Sequence, residues 1–525
     1  MGDNYTSAQT GDWDVEATWG GDPAGTPGEG DNATIATGHT VTGNVPHTIS
    51  SSSIVIVAAG GTLDINNGVT FAIALTGSLQ VSGACNLSGV LSGVAGAQVA
   101  VLDGGVLKAL AGATWSIPAD AGIEVATGGL LDLDLDPVTL AGAWAGGGDI
   151  ECESRLTIHA DASFADMIDS GGNLILDFGD VANATLNSND VSLPDVEVSN
   201  NGIATCALVT NGLTCKTFTF TAGAFDDGGQ DVVVGGHLLI NGGVLTSTGN
   251  WGQNASGNVV NDTDGHFYLL ELAVSGAVST LTGEVHADRV QYGTGTVVLG
   301  DFDLVVYYSA STANAWTDGT GGFTAAGTGI VKFSCGQVAA TQGTAVTITA
   351  PLEITTDNST GGELTFSANL NLAANALNIR GVDVNKEGEV VFANASLTCG
   401  ALTIGSTAAE DKSGIVHFGG GAHNIASLAQ GNAANDSDEV QLDTCRLYAS
   451  GTLDFTDITH GATAGMVHII CTGAGEVTNF DPAEAVHVHG DATVDGGGNN
   501  GVNDVTTFNT YAHPGGLAMM GAGVA

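Results

Sequence analysis

A short motif recurs along this chain, and it limits the fold more than any other feature. Gly-x-(Leu/Val)-x-Phe occurs at Gly329–Phe333, Gly362–Phe366, Gly388–Phe392, Gly414–Phe418 and Gly451–Phe455, with starts 33, 26, 26 and 37 residues apart. A looser form ending in an aliphatic residue fills the first half, as at Gly61–Ile65, Gly77–Val81, Gly129–Leu133, Gly172–Leu176 and Gly236–Ile240. Within each copy the third and fifth residues fall on one side of an extended strand. The leading Gly suits a bend where a Cβ would clash or where φ is positive. So short a unit cannot bury its apolar side alone, but stacked copies share one continuous core. Insertions at the turns account for the uneven spacing.

Two other repeat architectures are excluded. A helical solenoid needs segments of 3.6-residue periodicity rich in helix formers, and Gly and Thr are too frequent here. A propeller needs a more even blade of about 40–45 residues. The sequence therefore predicts an all-β, single-stranded, right-handed parallel β-helix. Coils of roughly 25 residues over 50–485 would number about 17. Three parts are expected: a capping or anchoring segment over 1–48, β-helix repeats over 49–485, and an assembly or tail segment over 486–525. No long helix is expected.

Composition narrows the partners. Charged residues are only 12% of the 525, and they divide into 9 basic and 56 acidic, a net charge of −47. Such a surface repels phosphate backbones and anionic membranes, which argues against nucleic acid and lipid as partners. It favours solubility, divalent cations and saline surroundings that screen self-repulsion. No run of about 18 apolar residues is long enough to span a bilayer. The first residues have neither the basic nor the apolar region of a signal peptide, so synthesis in a cytoplasm is expected. The eight cysteines (Cys85, Cys152, Cys206, Cys215, Cys335, Cys399, Cys445 and Cys471) are scattered without a Cys-x-x-Cys pair. They read as buried reduced thiols rather than a disulfide frame or a zinc site.

The opening segment departs from the repeat. Thr10-Gly-Asp-Trp-Asp-Val-Glu-Ala-Thr-Trp-Gly-Gly21 is followed by Pro23, Pro27 and Gly30-Asp-Asn-Ala-Thr-Ile-Ala-Thr-Gly-His-Thr-Val41. The opening forty or so residues of the chain resemble the opening segment of G8-type β-helical domains and of many bacteriophage and bacterial surface proteins. The resemblance implies a parallel β-helix with an N-terminal cap, and no chemistry. Trp13 and Trp19 then close the end of the solenoid, with stacking on sugars as the other use of such rings. The C-terminal segment is Gly-rich, from Asp495-Gly-Gly-Gly-Asn to Gly515–Ala525. Endings of this kind resemble those of phage structural proteins.

Three constellations could carry chemistry. Asp132, Asp134 and Asp136 alternate along one extended stretch, so their carboxylates would share a side. With the carboxylate-and-amide loop Asp495–Asp504 they are the candidate calcium ligands, beside the plainer reading of a solvated acidic face. His487 and His489, in Val486-His-Val-His-Gly490, would also share a side. In a trimer they would gather six imidazoles on the axis, a site for a transition metal; phage fibres that the chain resembles use such His-x-His sites. The third constellation is catalytic. Hydrolysis of a glycan needs two carboxylates about 5–10 Å apart, and 56 acidic residues make some such pair inevitable. A lyase acting on uronates needs Lys or Arg to neutralise the substrate carboxylate, and the nine basic residues here are scattered singly. There is no nucleophile elbow, no phosphate loop with its Lys and no His-Glu-x-x-His. The expectation is a non-catalytic structural or adhesive virion protein of a bacteriophage: a fibre, spike or decoration protein. It would sit on the virion surface, associate with itself as a homo-trimer and with other virion proteins, and meet host glycans. A tailspike-like depolymerase and a cell-surface or S-layer-like adhesin are the rivals.

Overall fold

The fold was analysed on a computed structural model. It describes the chain except residues 1, 21–22, 119, 136, 153–154, 178–182, 200–204, 262–264, 309–313, 320–321, 325–326, 337–338, 359–360, 407–411, 432–437, 457, 463–466, 472–475, 479–485, 490–492, 496–504, 509–521 and 524–525. Beyond residue 458, side chains are described only for Ile469 and Ile470.

The chain winds as a parallel β-solenoid of about 17 turns, almost without helix. Only Ala165–Ser170 forms an α-helix among the described residues. The described residues fall into two compact units. One comprises Met1–Asn254 with Asn261–His266, the other Ala255–Val260 with Phe267–Ala525.

In the first unit, alternation along each strand builds the core. Strand Thr62–Ile65 pairs in parallel with Thr40–Gly43 and with Ala84–Leu87, and the ladder continues through Val106–Ala109, Leu130–Leu133, Asp149–Cys152 and Asn173–Leu176. Register then fixes one interior file: Val41, Leu63, Cys85, Leu107, Leu131, Ile150 and Leu174 stack coil on coil, all buried. The residue after each of these turns outward. Asp64, Asn86, Lys108, Asp132 and Glu151 therefore form a polar file on the outward side of the same sheet, with Asp132 itself buried. The N-terminal segment joins the solenoid, since Asn4–Thr6 pairs in parallel with Asn32–Ile35, and that strand with Ile54–Val57.

The second unit holds the Phe repeats. All five rings are buried, as the register of the repeat requires. Three of them form the ladder. Phe366, Phe392 and Phe418 lie directly opposite one another on successive strands. Their rings stack with centroids 5.2 and 6.0 Å apart and planes within 16° and 11°. Phe333 and Phe455 do not join that file. Phe333 lies on Val331–Gly336, in another sheet, and packs on Tyr308 and Trp316. Phe455 follows the strand Leu453–Asp454 of that same other sheet. The motif thus marks an inward Phe but not a single sheet, because insertions at the turns change which side of the coil a copy occupies. Below Phe366 the file continues with a buried Gln342. Its amide is fully engaged by Trp316 O, Thr344 O, Thr344 Oγ1 and the hydroxyl of Tyr308, which explains how a polar group is tolerated there.

The leading Gly of these copies has a steric cause. A Cβ on Gly362, Gly388 or Gly414 would lie 2.2, 2.0 and 2.2 Å from the carbonyl oxygens of Gly336, Arg380 and Ile379 respectively. Backbone passes too close there for any side chain.

Candidate functional site

Asp132 and the histidine candidates belong to different strands, Leu130–Leu133 and Val486–His489. Asp132 stands on the outward file of Leu130–Leu133, and Lys108 Nζ, directly opposite on the adjacent coil, lies 2.6 Å from its Oδ2. The strand ends at Leu133, and Asp134 lies just beyond it, half-buried between the buried Leu133 and Leu135. Asp136 lies outside the described residues, as does most of the loop Asp495–Asp504. His487 and His489 occupy the strand Val486–His489, which pairs in parallel with Val467–Cys471 and with Val505–Phe508. In register, His487 stands opposite His468 and Thr506, and His489 opposite Ile470 and Phe508. The side chains of these histidines are outside the described residues. Among the described residues no group of three or more His, Cys, Asp and Glu has the arrangement to hold a metal ion. Trp13 and Trp19 are both buried, with ring centroids 5.0 Å apart. Their indole N–H groups donate to Pro27 O and Trp13 O, so neither ring offers a face to a sugar.

One cluster of carboxylates does assemble, on the sheet that carries the Phe ladder. Glu363 and Glu389 are directly opposite each other, and Glu439 lies two strands beyond Glu389. Strand spacing of about 4.8 Å puts these backbone positions at separations of about 5 and 10 Å. His417 Nε2 is 3.2 Å from Glu389 Oε1. Burial raises the Glu389 carboxyl above its usual value, His417 opposes that shift, and Glu363, Glu439 and Glu387 add to it. Thr365 donates to Glu363 and the amide of Gln441 donates to Glu439, so each carboxylate has a partner on its own or a nearby strand.

Carboxylates elsewhere behave similarly, and two of them, Asp132 and Asp357, are buried. The scarce basic residues serve as clips between coils. Besides Lys108 on Asp132, Lys332 Nζ is 2.5 Å from Asp303, Arg380 grips both oxygens of Glu353 at 2.8 and 2.9 Å, and Lys386 reaches Asp357 at 3.2 Å.

Two surface grooves are prominent. One, of about 340 Å³, is lined by Asp190, Gly212, Thr214, Gly229, Gln230, Asp231 and Val233, and is acidic. The other, of about 310 Å³, has no charged residue in its lining. Its polar wall is a file of outward residues on successive coils, Thr398, Asn424 and Tyr448, placed in register by parallel pairing. The rest of the lining includes small residues beside that file, Ala374, Gly400, Ala426 and Ser450. Gly400 has no choice, since a Cβ there would lie 2.2 Å from Ala374 O. The groove exists because these residues are small while the file beside them is not. Asn424 is exposed and Thr398 and Tyr448 half-buried.

Motif reading passed over these three residues. Each immediately precedes a buried interior residue (Cys399, Ile425 and Ala449), so aligning the coils on their inward positions would have placed them in one file. No family model matches the chain, and no curated protein matches it either.

Proposed function

We propose that this chain is a non-catalytic structural and adhesive surface protein, serving as a fibre, spike or decoration protein of a bacteriophage virion. The observation that carries the reading is where open surface remains. The interior files of the solenoid are filled by stacked side chains, which leaves the outer faces for recognition. On those faces many carboxylates are tied to partners on neighbouring coils, while the hydroxyl and amide file of the Thr398–Tyr448 groove stands open. A scaffold of closed coils with an open, uncharged groove suits adhesion without turnover. The segment 486–525 supplies the contacts for a homo-trimer or for another virion protein. Light scattering on the purified protein should give three times the chain mass, and a monomer would remove the trimer.

The purified protein should sediment with intact bacterial cells bearing its receptor and release neither reducing ends nor unsaturated sugars from their glycans. Antibodies against it should label intact virus particles, whereas labelling confined to cell envelopes would make it a cellular adhesin. A depolymerase is the second reading, favoured by one observation: Glu389, with its raised carboxyl, shares an outward file with Glu363 and Glu439 at backbone separations of about 5 and 10 Å, so that a pair of carboxyls could flank a glycosidic bond. Glycan cleavage abolished by Glu389→Gln would establish that reading and end the first.

A further inference from the structure

We infer that the groove beside Tyr448 is a binding site for a linear, uncharged glycan lying along the solenoid axis, with successive sugar rings against successive coils. This deepens the adhesive reading and rests on it. Four observations converge on that ligand class.

The first is charge. The groove has no charged residue in its lining, on a chain whose net charge is −47. A polyanion would be repelled by the molecule as a whole. A polycation would find better sites on the carboxylates elsewhere. The nearest cation on the same strand face is Arg446, two residues before Tyr448 and outside the lining.

The second is the inventory of groups. Sugars are recognised by an aromatic ring against their C–H face, with hydroxyl and amide groups for their hydroxyls. The groove supplies Tyr448 for the first, and Thr398, Asn424 and Ser450 for the second.

The third is availability. Among the described residues, no side-chain hydrogen bond or ring contact engages Thr398, Asn424 or Tyr448. This contrasts with the ion-paired residues on other faces. Nothing in the fold therefore uses these groups, and a ligand need not displace an internal partner.

The fourth is period. Thr398, Asn424 and Tyr448 repeat at the strand spacing of about 4.8 Å, and the small residues Gly400, Ala426 and Ser450 repeat beside them. A linear polysaccharide is itself a one-dimensional repeat, and a groove built coil by coil offers it a matching series of similar subsites.

Affinity electrophoresis of the full chain in native gels tests the assignment. The gels contain dextran, mannan or galactan as neutral probes, and alginate or chitosan as charged ones. At least one neutral polysaccharide should retard the protein. Tyr448→Ala and Asn424→Ala should each weaken that retardation by about tenfold or more, an effect of the size expected for losing one stacking or hydrogen-bonding anchor. Tyr448→Phe, which keeps the ring, should retain most of it, and Gln230→Ala in the acidic groove should change nothing. Asn424 is exposed, so its replacement leaves the fold intact even if Tyr448→Ala does not. Retardation only by alginate or chitosan, or retardation by a neutral glycan that both variants keep, overturns the site while leaving adhesion standing. Failure to bind any polysaccharide and any intact cell overturns the adhesive reading itself.

Discussion

The interior residues carry the stability, and the Phe ladder shows how. Phe392 is sandwiched between Phe366 and Phe418 and is wholly buried. Its replacement by Ala should leave a cavity that the coils above and below cannot fill, because backbone pairing fixes their spacing. Urea titration of Phe392→Ala should show a loss of about 3–5 kcal/mol. Gly388 acts by the opposite mechanism. A methyl group there meets Arg380 O at 2.0 Å, so Gly388→Ala should cost about 1–3 kcal/mol through displaced backbone, measured in the same titration. An unchanged midpoint in either variant would contradict the packing described. The basic residues show a different economy. At least four of the nine, Lys108, Lys332, Arg380 and Lys386, are placed where an adjacent coil carries a carboxylate, which a count of charges could not reveal.

At the scale of elements, the N-terminal segment is the most distinctive. Its aromatic cluster joins the first coils, with His47 buried between Trp13 at 4.5 Å and Phe71 at 5.1 Å. Burial lowers the His47 imidazole to about 4, and Asp31 opposes that shift only in part. The folded state therefore holds this ring neutral, while the unfolded chain protonates it at the ordinary value near 6.5. The contribution is fully present above about pH 6.5 and is lost as the pH falls toward 4. Between pH 7 and 5 the expected loss is about 2 kcal/mol. Unfolding midpoints measured over that interval should show a slope that His47→Gln reduces; an equal slope in both proteins would remove His47 as its source. The repeat elements were legible in outline only. Alternation and the leading Gly identify strands and their inward residues, yet five similar motifs occupy two sheets. Which side of a coil a motif takes depends on the length of the turns before it, and turns carry little of the motif.

At the scale of the whole molecule, charge and thiol burial give two further expectations. A net charge of −47 with few counter-charges makes self-repulsion a general destabilising field, screened over about 10 Å at 0.1 M salt. The melting temperature should therefore rise between 10 mM and 1 M sodium chloride, and a fall would show that the coil-to-coil ion pairs outweigh the repulsion. The seven cysteines with described side chains are all buried and none forms a disulfide, and burial raises thiols such as Cys85, pushed up to about 12. A disulfide reagent should label at most one thiol in the native protein and all eight after unfolding, the exception being Cys471, whose side chain is outside the described residues. Two or more fast native thiols would mean that interior files open.

Sequence alone determined the class of this protein: stacked parallel strands, an apolar interior filled by alternate residues, reduced buried thiols and an acidic exterior. Each of these follows from period and composition, which are local properties of the chain. The tertiary structure decided what lies beside what. Residues 24 and 26 positions apart, such as Tyr448, Asn424 and Thr398, become neighbours only when the coil lengths between them are known. The same holds for Lys108 and Asp132, an ion pair between adjacent coils. Turn lengths vary, so register is not a local property. The surface a solenoid presents is a product of register.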